Sequence, residues 1–261
     1  MAEKKTIYKA PALDKGLDIL ELLSEVETGL NTRQIAKALD RSVNEIFRML
    51  CVLEKRGYIS LDSRTSCYQL SLKLFELSHR HPPTERLLSA ANPAMEQLSA
   101  STQQSCHLSV YQAGGLLVIA RQESPYKMGF SLRLGAIIDI FGSGSGYLLL
   151  AYSSQTQQEQ ILHECHASAQ ERQLMLDAIE PILKQGYHIG ESPQVSGLTN
   201  ITYPIFSRAQ ELIAIITIPF LTLNSQRMHH QVQSLESARV ALEQVARELT
   251  QSLGGVFHLP N

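Results

Sequence analysis

Two side chains one helical turn apart, Asn44 and Arg48, have the chemistry needed to recognise base pairs. An asparagine amide can pair with N6 and N7 of adenine, and an arginine guanidinium can pair with O6 and N7 of guanine. On a 3.6-residue wheel they share a face with Cys51 and Lys55. The opposite face is aliphatic and comprises Ile46, Met49, Leu50 and Leu53. The spacing therefore predicts a helix that buries one side and presents base-pairing groups on the other.

Two capping boxes predict the helices that position these side chains. Asn31 and Gln34 have the spacing of a first box, and Ser42 and Glu45 have that of a second. A short turn at residues 39–41 separates the two helices, and Gly57 ends the second one. This arrangement is typical of a helix-turn-helix unit, whose second helix enters the major groove of DNA.

A hairpin is predicted directly after these helices. Residues 58–61 and 67–70 have strand character and flank a polar turn that contains Arg64. The hairpin would form a wing with Arg64 at its tip. We expect Asn44 and Arg48 to contact bases and the other polar residues to contact phosphates. Glu45 either contacts a base as well or is occupied by its capping role. The residues predicted to bind DNA are Thr32, Arg33, Arg41, Ser42, Asn44, Glu45, Arg48 and Arg64. The alternative is a small helical bundle with a polar outer face.

Charge is distributed unevenly along the 261 residues, a length that suggests two domains. The whole chain has a net charge of −2, which excludes a generally basic protein. Residues 31–66 nevertheless contain seven Lys or Arg against four Asp or Glu. Binding to nucleic acid needs only such a local basic patch, so the pattern favours DNA binding by this segment.

Several features predict a cytoplasmic protein. The four cysteines form no C-x-x-C pair, which is typical of free thiols in a reducing compartment. The charged N-terminus is not followed by an apolar segment, so we expect no secretory signal. There is no run of 18 apolar residues, so we expect no membrane span.

The pattern divides the chain into a DNA-binding domain (1–78), a linker helix (79–98) and a second domain (99–261). The first helix is predicted at 11–27. The two prolines at 82 and 83 should break any helix, and Thr84 should cap a new one that runs from 85 to about 99.

The second domain is predicted to be α+β, with an antiparallel sheet and helices around it. From Gln104 the apolar period changes from 3.6 to 2, which indicates strands. The predicted strands are 105–111, 116–121, 126–134, 199–206 and 212–219. The predicted helices are 147–152, 157–165, 171–185 and 226–253.

A glycine–serine run at 142–146 precedes the first of these helices and could bind an anion. Free backbone N–H groups and the helix dipole favour negative charge there, so Ser143, Gly144 and Ser145 could hold a carboxylate. The alternative is a tight turn that simply requires glycine. The run fits neither the G-x-S-x-G elbow nor a P-loop, and we find no catalytic constellation elsewhere, so no enzyme activity is predicted.

The whole chain resembles the IclR family of bacterial transcription regulators. The resemblance lies in ALDKGLDIL at 12–20, the helix pair that ends in LEKRGYI at 53–59, GSGSGYLLLA at 142–151, GY at 186–187 and GLTNITYPIF at 197–206. It implies a winged helix-turn-helix domain, a linker helix and a GAF/PAS-like domain that binds a small organic effector. It also implies dimers or tetramers on palindromic operators.

The resemblance also suggests effector contacts. Gly144, Ser145, Asn200 and Thr217 match effector-contact positions of the family, and Glu191 matches one to within a residue. Three positions depart from the family pattern, which implies different effector chemistry. They are Phe141, Tyr147 (where the family has Gly-Lys) and Pro219 (where it often has Ser).

Neither the histidines nor the cysteines predict a metal or catalytic site. His163 and His166 are three residues apart beside Cys165, but no further zinc ligand is evident. Cys106 and His107 are adjacent on a strand, so they should point to opposite faces.

The pair His229-His230 is expected to be exposed. The predicted function is a sequence-specific repressor that is controlled by a small organic acid and needs no cofactor. The alternatives are a winged-helix regulatory module fused to a small-molecule-metabolising enzyme domain, and a winged-helix protein–protein module.

Overall fold

The computed structural model describes residues 10–80, 82–222 and 233–257. The predicted helix start at 226 and the His229-His230 pair lie outside these ranges. The chain separates into two compact units, Met1–Thr84 and Glu85–Asn261, which are described in turn.

The first unit is a winged helix-turn-helix, as predicted. Both capping boxes are present, Asn31 with Gln34 and Ser42 with Glu45. Residues 59–62 and 67–70 pair as an antiparallel hairpin. The elements are α1 (Pro11–Ser24), α2 (Thr32–Ala38), α3 (Val43–Lys55), β1 (Ile59–Asp62), β2 (Cys67–Leu70) and α4 (Lys73–His79). The first helix ends at Ser24, earlier than the predicted residue 27.

One small apolar core holds this unit together. It comprises Ile19 and Leu23 of α1, Ile35 and Ala36 of α2, Ile46 and Leu50 of α3, and Ile59 and Tyr68 of the hairpin. Leu30 and Tyr68 exchange backbone hydrogen bonds of 2.8 and 3.0 Å, which fasten the hairpin to the loop before α2. Gly29 precedes this bridge with φ of +72°, and a Cβ there would lie 2.6 Å from the Tyr68 carbonyl oxygen. Only glycine fits such a position.

The second unit is built on one six-stranded antiparallel sheet in the order β5-β4-β3-β8-β7-β6, so the α+β prediction is confirmed. Its strands are β3 (Cys106–Gln112), β4 (Gly115–Gln122), β5 (Ile137–Ile138), β6 (His188–Glu191), β7 (Leu198–Phe206) and β8 (Leu212–Leu221). Its helices are α5 (Pro82–Thr102, which begins in the first unit), α6 (Gly144–Ala151), α7 (Gln155–Glu164), α8 (Ala169–Asp177), α9 (Ile179–Gln185) and α10 (Leu235–Ser252).

Helices cover both faces of this sheet. On one face α5 and α10 pack on the apolar side of β3, β7 and β8, with Met95, Tyr203 and Leu242 among the buried residues. On the other face α6 packs on the sheet and is covered by α7, α8 and α9. None of the helices within the described ranges combines the length and the apolar character that crossing a bilayer requires.

The linker helix differs from the prediction at both ends. It begins at Pro82 instead of Glu85 and continues to Thr102. The two prolines do not break the helix because they occupy its first turn, where the N–H groups that they lack would have no intrahelical partner. Thr84 therefore lies inside the helix and is not its cap.

The segment predicted as a strand at 126–134 is irregular instead. The free edge of β4 is already taken by β5, and Val118 exchanges further backbone hydrogen bonds with Gly135 and Ala136. Residues 126–134 therefore do not pair with this part of β4. The strand β6, in contrast, was not predicted.

Three helix boundaries also differ from the prediction. The predicted helix at 171–185 is two helices, because Pro181 cannot continue the hydrogen bonding across the junction at Ala178. The helix predicted from Tyr147 already begins at Gly144. The last helix begins at Leu235 after a cap by Ser234.

Candidate DNA-binding face and ligand cavity

The outer side of α3 is an open stripe, as predicted. Asn44 and Arg48 are exposed, together with Cys51, whereas Ile46 and Leu50 on the inner side are fully buried. Among the described residues, no side-chain hydrogen bond or ion pair occupies Asn44 or Arg48. The stripe is therefore available to a ligand that approaches from outside.

Phe47 lies on the same stripe, and the sequence analysis missed it. It is three residues after Asn44 and directly before Arg48, and its side chain is 52% exposed. Val43 beside it is 46% exposed. Exposed apolar groups on a base-contacting helix can touch the methyl group of thymine. The helical spacing from Asn44 was the signal that could have identified Phe47.

Glu45 is engaged in holding α3 in place. Its Oε2 accepts a hydrogen bond of 2.7 Å from Ser42 Oγ, and its Oε1 lies 2.5 Å from Lys15 Nζ on α1. The contacts with Lys15 and then Ser42 lower the pKa of Glu45 to about 2, so the carboxylate stays ionised. Both oxygens thus link the start of α3 to its cap and to α1, which leaves Glu45 poorly placed to contact a base.

Three arginines predicted to contact phosphates, Arg33, Arg41 and Arg64, are exposed. Arg64 lies in the turn between β1 and β2, which Asp62 shapes by accepting 2.9 Å hydrogen bonds from Arg64 N and Thr65 Oγ1. These hydrogen bonds also lower the pKa of Asp62.

The two hydroxyl residues predicted to contact phosphates differ from the arginines. Thr32 is half-buried and lies beside the hydroxyl of Tyr68. Ser42 is exposed, but its hydroxyl serves as the cap of α3.

In the second unit, four polar residues form a row across adjacent strands. His107 of β3 pairs in register with Thr217 of β8, Thr217 with Thr202 of β7, and Thr202 with His188 of β6. Cross-strand partners lie on the same face of a sheet, so the four side chains share the face that α6 covers. His107, Thr217 and Thr202 are all buried.

The N-terminus of α6 closes a cavity of about 50 Å³ over this row. The first N–H groups of a helix have no intrahelical partner and favour an anion. Ser143 caps α6, since its Oγ accepts a 3.0 Å hydrogen bond from Gly146 N. Ser145 Oγ lies 3.3 Å from Thr217 Oγ1, which joins the helix to the polar row.

Five of the six predicted effector residues line this cavity: Ser143, Gly144, Ser145, Asn200 and Thr217. Glu191 does not line it. Glu191 is an exposed residue at the end of β6, and the three residues that follow it, at 192–194, line the cavity instead. Pro219 also lines it, as does Thr202, which sequence reasoning missed.

The glycine–serine run is sterically constrained, as the alternative of a tight turn expected. A Cβ on Gly146 would lie 1.9 Å from the Ile140 carbonyl oxygen, and one on Gly144 would lie 2.5 Å from His188 Nδ1. The turn therefore requires glycine, and the same close approach brings the N-terminus of α6 onto the polar row.

Two histidines beside the cavity contain buried nitrogen atoms without a partner. His107 is 4% exposed and lines the cavity, and its Nδ1 has no hydrogen-bond partner within the described part of the chain. Burial lowers the pKa of His107 to about 4, so the ring is neutral at pH 7. The same holds for Nδ1 of His188, whose pKa is also lowered by burial.

The cysteines and the remaining histidines do not assemble a reactive site. Cys106 faces the α5 side of the sheet, opposite His107, and burial raises the pKa of its thiol to about 12. His166 has a φ of +53°, outside the helix that contains His163. Within the described ranges, no three His, Cys, Asp or Glu side chains are grouped as metal ligands would be.

A larger cleft of about 600 Å³ lies at the other end of α6. Tyr111, Leu149, Tyr152 and Glu211 are among its lining residues. The lining contains one carboxylate, Glu211, and no histidine, lysine or arginine among the residues that the structure describes. This composition does not suit an acidic ligand.

Comparisons with known proteins give a family match for each of the two units. Residues 12–63 match the family described as "IclR helix-turn-helix domain", and residues 84–251 match "Bacterial transcriptional regulator IclR C-terminal". The HTH-type transcriptional regulator KdgR of Escherichia coli (strain K12) is 27% identical over 248 residues, which cover 92% of this chain and 91% of that protein.

Two further proteins are informative. The HTH-type transcriptional repressor AllR of Salmonella paratyphi A (strain ATCC 9150 / SARB42) is 23% identical and covers 83% of this chain and 82% of its own length. An IclR homologue from Microbacterium hydrocarbonoxydans, solved in complex with 4-hydroxybenzoate, shares the fold with a TM-score of 0.72 at 19% identity, over 93% of this chain and 98% of that one.

The resemblance inferred from sequence is therefore confirmed. The two curated relatives are regulators by name, and no comparison supports the alternative of a fused enzyme domain. Since the C-terminal match alone spans more than half of the chain, and the N-terminal match covers the two capped helices, the chain belongs to the IclR family of DNA-binding transcriptional regulators.

Proposed function

We propose that the protein is a repressor whose operator is recognised by the outer stripe of α3. Asn44 and Arg48 contact adenine and guanine edges in the major groove, and Phe47 contacts a thymine methyl. Glu45 positions the helix and does not contact a base. The phosphates are contacted by Thr32, Arg33, Arg41, Ser42 and Arg64. The AllR relative, which is named a repressor, supports the direction of regulation.

The cavity beneath α6 is the effector site in this proposal. Ser143, Gly144, Ser145, Asn200 and Thr217 surround the effector, whose carboxylate lies at the N-terminus of α6. A buried water needs roughly 10–15 Å³ by a comparable measure. The cavity of about 50 Å³ therefore favours a compact acid with few heavy atoms. The neighbour that binds 4-hydroxybenzoate supports an organic acid as the class.

The regulatory mechanism couples these two sites. The protein acts as a dimer or tetramer in the cytoplasm, and two copies of α3 contact the halves of a palindromic operator. Effector binding changes the arrangement of the second units. The linker helix α5 transmits this change to the spacing of the two recognition helices.

The observation that carries this function is the exposed stripe of α3. Asn44 and Arg48 are open to solvent on a helix that is capped at Ser42 and anchored by Ile46 and Leu50. A protein–protein module would not need base-pairing side chains one turn apart at the start of this helix.

Selection from a random duplex library followed by titration of the selected DNA tests the proposal. We expect Arg48→Ala to weaken binding by about 1–3 kcal/mol and to relax specificity at one base pair. Arg33→Ala should weaken binding to all sequences and reduce the salt dependence by roughly one phosphate contact. The exposed Arg208, in the second unit, provides the matched control Arg208→Ala, which should leave binding unchanged.

Unchanged affinity and specificity in Arg48→Ala would refute base contact by α3. The effector half is tested separately by thermal shift with acetate, lactate and 4-hydroxybenzoate. A ligand that binds the folded state raises the melting temperature and, in this proposal, releases the selected duplex. Stabilisation without release would leave ligand binding intact but refute the regulatory coupling.

A further inference from the structure

The imidazole of His107 contains a buried nitrogen that has no hydrogen-bond partner in the described part of the chain. Its Nδ1 has no hydrogen bond among the described residues, although the side chain is only 4% exposed. A buried polar atom without a hydrogen bond destabilises the folded protein, so such atoms call for an explanation. Because His107 lines the cavity beneath α6, its imidazole is within reach of a ligand in that cavity.

The charges around the cavity do not by themselves balance an anion. No lysine or arginine is among the described residues that line it, and the only charged side chain is the carboxylate of Asp139, which accepts a 2.9 Å hydrogen bond from Phe141 N. Arg121 is the cross-strand neighbour of His107 on β4. Its guanidinium is already bound to Glu123 at 3.0 Å and to the Leu132 carbonyl at 3.3 Å.

His188 is the other titratable ring on this face, but it is placed differently. Its ring lies against Gly144 and Gly190, and its centroid is 5.4 Å from that of Tyr147. It is not among the residues that line the cavity, whereas His107 is. Thus His107 is the ring that a bound ligand meets.

We propose that a carboxylate effector enters this cavity together with one proton, which is held on the imidazole of His107. The inference rests on the proposed function, since it specifies how the effector site recognises an acid. The proton comes from solvent, no covalent bond changes, and the result is an imidazolium that faces a carboxylate. The ion pair and the dipole of α6 together balance the charge of the ligand.

Linkage gives this proposal a measurable signature. Burial holds the pKa of His107 at about 4 in the empty protein, and a carboxylate beside it raises that pKa. Between the empty and the bound values, the affinity for the acid falls about tenfold for each unit of rising pH. A matched neutral amide, which gains nothing from the imidazolium, should bind without this dependence.

Isothermal titration calorimetry of the full chain measures proton uptake directly. Acetate, lactate and 4-hydroxybenzoate are titrated at pH 6.0 and 7.0 in two buffers of different ionisation enthalpy, with acetamide, lactamide and 4-hydroxybenzamide as neutral controls. We expect a buffer-dependent enthalpy and tenfold weaker binding at pH 7.0 for each acid that binds. His107→Gln should remove both effects, and the exposed His163→Gln should retain them.

The remaining results separate failure of the inference from failure of the proposed function. Binding of an acid without proton uptake refutes the role of His107 and leaves the effector proposal standing. Uptake that persists in His107→Gln, or that disappears in His188→Gln, assigns the proton elsewhere. If His107→Gln does not fold, uptake that is retained in both His188→Gln and His163→Gln supports the assignment. If no acid binds, the effector proposal and this inference fail together.

Discussion

The outer stripe of α3 and the cavity beneath α6 are built in opposite ways. The stripe is exposed, and all its side chains come from one helix of 13 residues. The cavity lies inside the second unit, and its polar row comes from four strands that lie far apart in the chain, from His107 to Thr217. The first site is determined by helical spacing, and the second by the register of a sheet.

This difference decides how each site responds to change. In the proposed function, a substitution on the stripe alters a contact with DNA and leaves the fold alone, because Asn44 and Arg48 make no side-chain hydrogen bond or ion pair among the described residues. A substitution in the cavity alters packing as well, because Gly144, Gly146 and His107 lie against backbone or neighbouring side chains. Binding and stability should thus be separable in the first unit and coupled in the second.

The largest expected effect is a change in stability when a helical glycine is replaced by alanine, and two glycines should respond in opposite directions. Gly146→Ala should destabilise the second unit by about 4 kcal/mol, because the new Cβ would lie 1.9 Å from the Ile140 carbonyl oxygen. Gly16→Ala in α1 meets no atom within 4 Å and should stabilise the first unit by about 0.5–1 kcal/mol. Hydrogen exchange of peptides from each unit measures both changes. Equal effects of the two substitutions would contradict the contrast.

The second-largest effect is a loss of stability of the second unit at acidic pH. The pKa of His107 is lowered from 6.5 to about 4 in the folded protein. As the pH falls below about 6.5, His107 therefore becomes protonated in the unfolded chain before it does in the folded one. The second unit should lose about 3 kcal/mol between pH 6.5 and 4 through this group, and His107→Gln should remove that loss.

The first unit should respond to acid at lower pH. The pKa of Glu45 is lowered from 4.5 to about 2, so its contribution is complete above about 4.5 and is lost as the pH falls towards 2. Glu45→Gln should abolish that dependence. Hydrogen exchange as a function of pH resolves the two units, and coincident acid transitions would argue against separate origins.

The smallest expected effect is the loss of stability when a serine N-cap is removed, a feature that both units contain. Ser42 caps α3 and Ser154 caps α7, each in a capping box. Replacement of either serine by alanine should destabilise its own unit by about 1 kcal/mol. Only Ser42→Ala should also weaken operator binding, since α7 lies in the second unit. Loss of operator affinity in Ser154→Ala would show that cap strength in the second unit reaches the DNA.

Local signals account for what was predictable. The capping boxes at Asn31 and Ser42 and the wing followed from residues close in sequence, and so did the exposure of Asn44 and Arg48. Two errors concern strand pairing between residues that are not close in sequence. Residues 126–134 are irregular because β5 occupies the edge of β4, and β6 was missed because its pairing with β7 is not visible in its four residues.

The sequence by itself determined the two-domain order, the helix-turn-helix, the wing and the glycine-rich start of α6, because caps, turns and periodicity act over a few residues. Tertiary structure alone decided that His107, Thr217, Thr202 and His188 form one row, that Glu191 lies outside the cavity and that Glu45 is held by Lys15. Strand register and contacts between helices join residues from 14 to more than 100 positions apart. No local pattern encodes such distances, because they are set by how the whole unit packs.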